Sequence, residues 1–152
     1  MKTYIINLKN DNKNLDRTKN ELKKGEFNMD NVFRFDAVNG KEIKKWQANI
    51  HPFCKMFCTD KMVGIGLSHI KIADYLYSQN LDYALVLEDD IKTKSNRNLE
   101  NDLNEIIKTV LEQDPNWDII ILHRQGLGIT YKKTRNQLVG STAAYLISKK
   151  GI

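Results

Sequence analysis

The chain has 152 residues, 41% of them hydrophobic and 28% charged, a balance that suits one globular domain and excludes a disordered or fibrous polymer. Its 24 basic and 19 acidic side chains leave a formal net charge of +5. The cations are scattered as pairs (Lys23-Lys24, Lys44-Lys45, Lys132-Lys133, Lys149-Lys150) rather than gathered into a basic and aromatic module, so nucleic acid is not an expected partner.

Residues 4–8 read as a first strand. No apolar run reaches the ~20 residues of a membrane span, and this N-terminus lacks the apolar core and cleavage site of a signal peptide, so the cytoplasm is the expected compartment. Residues 15–24 form a polar helix stopped by Gly25, a residue suited to the left-handed C-terminal position. Residues 31–38 make a second strand, with Asn39-Gly40 as the turn. Over 41–61 the pattern is irregular; Pro52 forbids a continuous helix, and a helix followed by a loop is expected. Residues 68–79 are a stronger helix in which Ile70, Ala73, Leu76 and Tyr77 recur at helical spacing, while Gly64 and Gly66 loosen the approach to it.

Residues 83–87 are apolar without a break, which predicts a strand covered on both faces in the middle of a sheet. Residues 98–113 form an amphipathic helix through Leu99, Leu103, Ile106, Ile107, Val110 and Leu111, ended by Asp114-Pro115. Residues 117–122 and 141–147 supply the last strands. The sum is an α/β fold with a mostly parallel central sheet and helices on both faces. Cys54 and Cys58, the only cysteines, are expected as reduced thiols. A metal site with His51 fits none of the usual zinc spacings, and a disulfide requires an oxidising compartment.

Glu88-Asp89-Asp90 follows Leu87 without a spacer. Ligands of open α/β sheets bind beyond the carboxyl ends of the strands. Adjacent carboxylates repel, and partial burial raises the cost of their ionised forms, so either water screens them or a cation compensates. If the backbone stays extended, Glu88 and Asp90 share one face and Asp89 points away. Two oxygen ligands on one face suit a hard divalent ion that keeps positions open for phosphate oxygens. A solvated acidic loop accounts for the same triplet, and the residues alone do not separate the two readings.

Several ordered segments together carry a resemblance. They are Tyr4-Ile5-Ile6-Asn7-Leu8 with Arg17 after it, Phe35-Asp36-Ala37-Val38-Asn39-Gly40, and Gly64-Ile65-Gly66-Leu67-Ser68-His69-Ile70. Ala84-Leu85-Val86-Leu87-Glu88-Asp89-Asp90, Trp117-Asp118-Ile119-Ile120 and Ala144-Tyr145-Leu146-Ile147-Ser148 complete the set. In this order they resemble glycosyltransferase family 25, which includes bacterial lipooligosaccharide galactosyltransferases and collagen galactosyltransferases.

The resemblance implies the type A glycosyltransferase fold, a UDP-hexose donor, Mn2+ or Mg2+, and inverting transfer of galactose or glucose to a glycan or protein hydroxyl. It matches Glu88-Asp89-Asp90 to the family's Asp-x-Asp-like motif, with Glu88 and Asp90 on the metal and Asp89 on the donor. It sets Asn7 and Leu8 against the nucleotide base, lets Arg17 reach phosphate or ribose, and matches Ser68 and His69 to a Ser-His pair at the donor site. Plainer readings stand beside these: Arg17 as an exposed helix residue, Ser68 as a helix cap, and His69 as a packed residue of the first turn. Asp118 is better suited to a turn than to the cleft, and the catalytic base stays unassigned.

Family members usually continue beyond the position of Gly151-Ile152. The single domain over 1–152 is therefore expected to be the donor-binding part, with the acceptor part short or missing. A catalytically inactive binding or structural relative is the alternative function. The positive charge leaves a membrane surface as a peripheral partner, and an apolar face left open would favour self-association.

Overall fold

The computed structural model describes residues 1–46, 48–93, 98–122 and 143–152. The Lys132-Lys133 pair and the first two residues of the strand expected over 141–147 lie outside them. Among the described residues five strands, β1 (Thr3–Asn7), β2 (Val32–Asp36), β3 (Tyr83–Glu88), β4 (Ile119–Ile121) and β5 (Ala144–Ser148), form one sheet in the order β2-β1-β3-β5-β4. β1 runs parallel to both β2 and β3, whereas β5 is antiparallel to β3 and β4. Four strands thus share a direction, as expected, and β5 is the reversed one. The register sets Asn7 opposite Asp36 and Ile6 opposite Glu88, so β1, β2 and β3 bring their carboxyl ends to one edge.

Helices α1 (Asn12–Lys24) and α4 (Leu99–Gln113) cover one face of the sheet, and α3 (Asp60–Ser78) covers the other. The short α2 (Pro52–Phe57) lies between β2 and α3 in the chain. The central position of β3 follows from its composition. Leu85 and Leu87 pack with Ile5, Leu15, Leu22, Ile107 and Leu146, while Ala84 and Val86 pack with Tyr4, Ile6, Ile72, Leu76 and Tyr145. Each large aliphatic side chain buried in this way contributes about 1.5–3 kcal/mol. The apolar run at 117–122 has a different fate: β4 is a short edge strand with Ile119 and Ile121 exposed.

Several boundaries move for tertiary reasons. α1 begins at Asn12, capped by the Asp11 side chain, which accepts from Asn14 N. Gly25 follows α1 but is not left-handed, with φ −84°; Glu26 takes that conformation at φ 58°. Gly25 instead permits close approach, because a Cβ there would meet Leu99 Cδ1 at 2.9 Å, and its carbonyl accepts from Leu99 N. Pro52 opens α2 at its first turn, so a loop precedes the helix where the reverse order was expected.

α3 starts well before residue 68 and contains both Gly64 and Gly66. Its buried stripe is Val63, Gly64, Ser68, Ile72 and Leu76, while Ile70 and Tyr77 face outward. A Cβ on Gly64 would meet Val38 O and Gly40 N at 2.8 Å, so this glycine seats the helix against the chain leaving β2. The expected pair of reduced thiols is also corrected. Cys54 and Cys58 form a disulfide with Cα atoms 4.6 Å apart: Cys54 lies in α2, and Cys58, just past its end, donates its backbone N–H to Cys54 O. His51 caps α2 through Nδ1, which accepts from Phe53 N, and is not a metal ligand with them.

Candidate donor site at the carboxyl edge of the sheet

β1, with buried Thr3 at its start and apolar residues at its centre, ends in Asn7, a second buried polar residue. Its Nδ2 donates to Asp11 O at 2.9 Å and to Asp89 Oδ2 at 2.7 Å. Both contacts are acceptors, so the amide orientation is determined. Asn7 Oδ1 is buried without a hydrogen-bond partner among the described residues. α1 adds two more groups: Thr18 Oγ1 donates to Asp89 O at 2.7 Å, and the Arg17 guanidinium approaches the same oxygen at 3.5 Å. Asn7, Arg17 and Asp89, far apart in the chain, therefore meet where β1 and β3 end. Leu8, the next residue after Asn7, is 41% exposed at this edge.

β3 stops at Glu88 and the chain turns at Asp89 and Asp90. The strand alternation that would set Glu88 and Asp90 on one face therefore ends at Glu88, which corrects the extended-backbone expectation. Glu88 turns toward α3, where its Oε1 lies 3.5 Å from His69 Nε2. Asp89 turns toward α1, and Asp90 is exposed. Burial pushes the Asp89 carboxyl above its ordinary pKa; the Asn7 hydrogen bond opposes this, and the charges of Asp11 and Asp90 add to it. Negative charge is thus crowded beside an unpartnered buried acceptor, an arrangement that calls for a donor group or a cation.

On the α3 side, His69 Nδ1 lies 3.0 Å from the Tyr145 hydroxyl. Tyr145 comes from β5 opposite Val86, and burial first, then the charge of Glu88, raises its pKa above that of a free tyrosine. His69 lies in the middle of α3, not in a first turn. Ser68 is not a helix cap either. Its Oγ donates to Gly64 O at 2.7 Å and accepts from Val38 N at 2.8 Å, stitching α3 to the chain after β2. Tyr145, Thr18 and Asp11 complete the edge and were not singled out as site residues. Strand register brings Tyr145 there, and the packing of α1 beside β1 brings Asp11 and Thr18.

Among the described residues no three His, Cys, Asp or Glu side chains converge to hold a metal ion. A protein contribution of one or two carboxylates still suits a hard ion whose shell is completed by phosphate oxygens and water, and Glu88 and Asp90 are of that donor type. Two surface concavities, of about 440 and 380 Å3, lie at the opposite edge, where β3 begins at Tyr83. Lys108, Glu112 and Lys149 on their walls belong to a solvated surface. The buried polar groups converge at the carboxyl edge, where open α/β sheets bind ligands, which makes that edge the candidate site.

The family model for glycosyltransferase family 25, described as an LPS biosynthesis protein, matches the chain over residues 1–152. A search of curated proteins finds no match.

Proposed function

Because the chain belongs to glycosyltransferase family 25 and is a glycosyltransferase, we propose that its carboxyl edge binds a UDP-hexose together with Mn2+ or Mg2+. Transfer of galactose or glucose to a glycan or protein hydroxyl then proceeds with inversion at the anomeric carbon. The observation that carries this reading is the meeting of Asn7, Arg17 and the Glu88-Asp89-Asp90 turn at the mouth of the central strand.

Each side chain has a part in it. Asn7 lies under the nucleotide pocket and fixes its floor by bonding Asp11 and Asp89 through Nδ2, and the exposed Leu8 offers an apolar surface to the base. Arg17 carries a delocalised charge for phosphate or ribose oxygens. Asp89, bonded through both its carboxylate and its carbonyl, holds the turn in shape. Glu88 and Asp90 supply the carboxylates for the ion, and His69, backed by Tyr145, orients Glu88. When bound, the ion would neutralise charge on the departing diphosphate. Ser68 acts indirectly, by keeping the helix that carries His69 in place.

Calorimetry of UDP binding with and without Mn2+ tests this. Mn2+-dependent affinity is expected, and Asp90→Asn should lower it by about tenfold or more, the loss of one charge-assisted contact, with the fold intact. Unchanged affinity in Asp90→Asn would reduce the triplet to solvated surface. A catalytically inactive binding or structural relative is the second reading. UDP release from UDP-galactose or UDP-glucose in the presence of glycan acceptors separates the two.

A further inference from the structure

The described residues between 41 and 62 leave and rejoin the body at one place, where the Gly40 backbone packs against Asp60 and Gly64. The excursion between is braced internally. Lys45 Nζ donates to Cys58 O at 2.9 Å and pairs with Asp60 at 2.9 Å, Lys55 Nζ donates to Trp46 O at 3.3 Å, and Cys54 is bonded to Cys58. α2, inside it, buries none of its six residues. Trp46, Phe53, Met56, Phe57 and Met62 are all exposed, between 56% and 72%. The Phe53 and Phe57 rings sit 4.8 Å apart on one side of α2. Such a concentration of large apolar groups on a braced projection is unusual for a surface that meets only water.

The charge around these groups selects the occupant. No carboxylate occurs from 43 to 59, and residues 41–62 carry five lysines against Glu42 and Asp60. A symmetric contact with a second copy would set lysines against lysines. An anionic lipid surface has the complementary charge, an apolar layer beneath it, and a headgroup zone that tryptophan prefers. We propose that this projection docks the protein peripherally on an anionic bilayer. Trp46, Phe53, Met56 and Phe57 enter the headgroup boundary, and Lys41, Lys44 and Lys61 face lipid phosphates. No helix among the described residues is long and apolar enough to cross a membrane. The proposal does not depend on the donor reading.

Flotation with phosphatidylcholine vesicles, with and without phosphatidylglycerol, tests the proposal on the whole chain. Binding is expected only with the anionic lipid and weakens as salt is added. Trp46 emission should move to the blue on binding, while the buried Trp117 contributes no change. Phe53→Ser with Phe57→Ser should lower partitioning on the order of a hundredfold, through lost apolar insertion. Lys44→Glu with Lys61→Glu should lower it about tenfold or more. None of these four side chains belongs to the core, and circular dichroism and melting curves check that the fold is kept. No affinity for anionic vesicles, equal affinity for neutral ones, or full affinity in the Phe53/Phe57 variant would overturn the proposal. So would self-association that this variant abolishes in the absence of any vesicle binding, which would assign the patch to a second copy.

Discussion

Asp89 is the residue on which most of the carboxyl edge depends, since Asn7, Thr18 and Arg17 all reach it. Its folded-state pKa is raised by burial and by Asp11 and Asp90, so its ionisation opposes folding. The stability it contributes is full below the ordinary aspartate pKa and is lost as pH rises through the raised value. Asp89→Asn keeps an acceptor for Asn7 and removes the charge. Without divalent ions it should melt higher than the parent at neutral pH, and the two should converge near about pH 3, below the ordinary aspartate value. A melting series across pH reads this directly; parallel curves would mean that Asp89 is well solvated. The triplet was legible as an anomaly because three acids follow an apolar strand. Its division, with Glu88 toward His69 and Asp89 toward Asn7, depends on the strand ending at Glu88.

At the scale of elements, the glycines of α3 separate what a local pattern reveals from what packing demands. Gly64 and Gly66 read as loosening the chain, yet both lie inside the helix, because Gly64 seats it against Val38 and Gly40. Gly64→Ala would push a methyl into backbone atoms and should cost about 1–3 kcal/mol in urea unfolding. Gly66→Ala meets nothing within 4 Å and should stabilise by up to about 1 kcal/mol through helix propensity. Equal effects at the two positions would refute this account. α1 also holds the segment after the acidic turn: Glu21 Oε2 accepts from Thr93 N at 3.0 Å and from Thr93 Oγ1 at 2.9 Å. The Lys24 hydrogen bond, then those from Thr93, lower the Glu21 pKa to about 2. The stabilisation is present above the ordinary glutamate value and is lost as pH falls toward the lowered one. Glu21→Gln should therefore flatten the acid limb of the stability curve between those values, as circular dichroism against pH would record.

Across the whole molecule, the parallel trio β2-β1-β3 collects three carboxyl ends at one edge, and reversed β5 brings Tyr145 to the same edge from the far side of β3. A donor that spans this edge binds only the assembled sheet. UDP with Mn2+ should therefore raise the melting temperature, by an amount equivalent to about 2.7 kcal/mol at a hundred times Kd. No shift at saturating ligand would count against a donor site here. The amino-acid sequence by itself determined the α/β class, the interior place of β3 and the acidic mouth of that strand, because apolar runs and adjacent charges act over a few residues. Tertiary structure alone decided that Asn7 meets Asp89, 82 residues away, and that His69 lies between Tyr145 and Glu88. It also decided that β5 runs backward and that the apolar side chains around α2 face outward. Strand order, register and the close approach of glycine backbones set those outcomes, and each joins parts of the chain whose local patterns carry no information about one another.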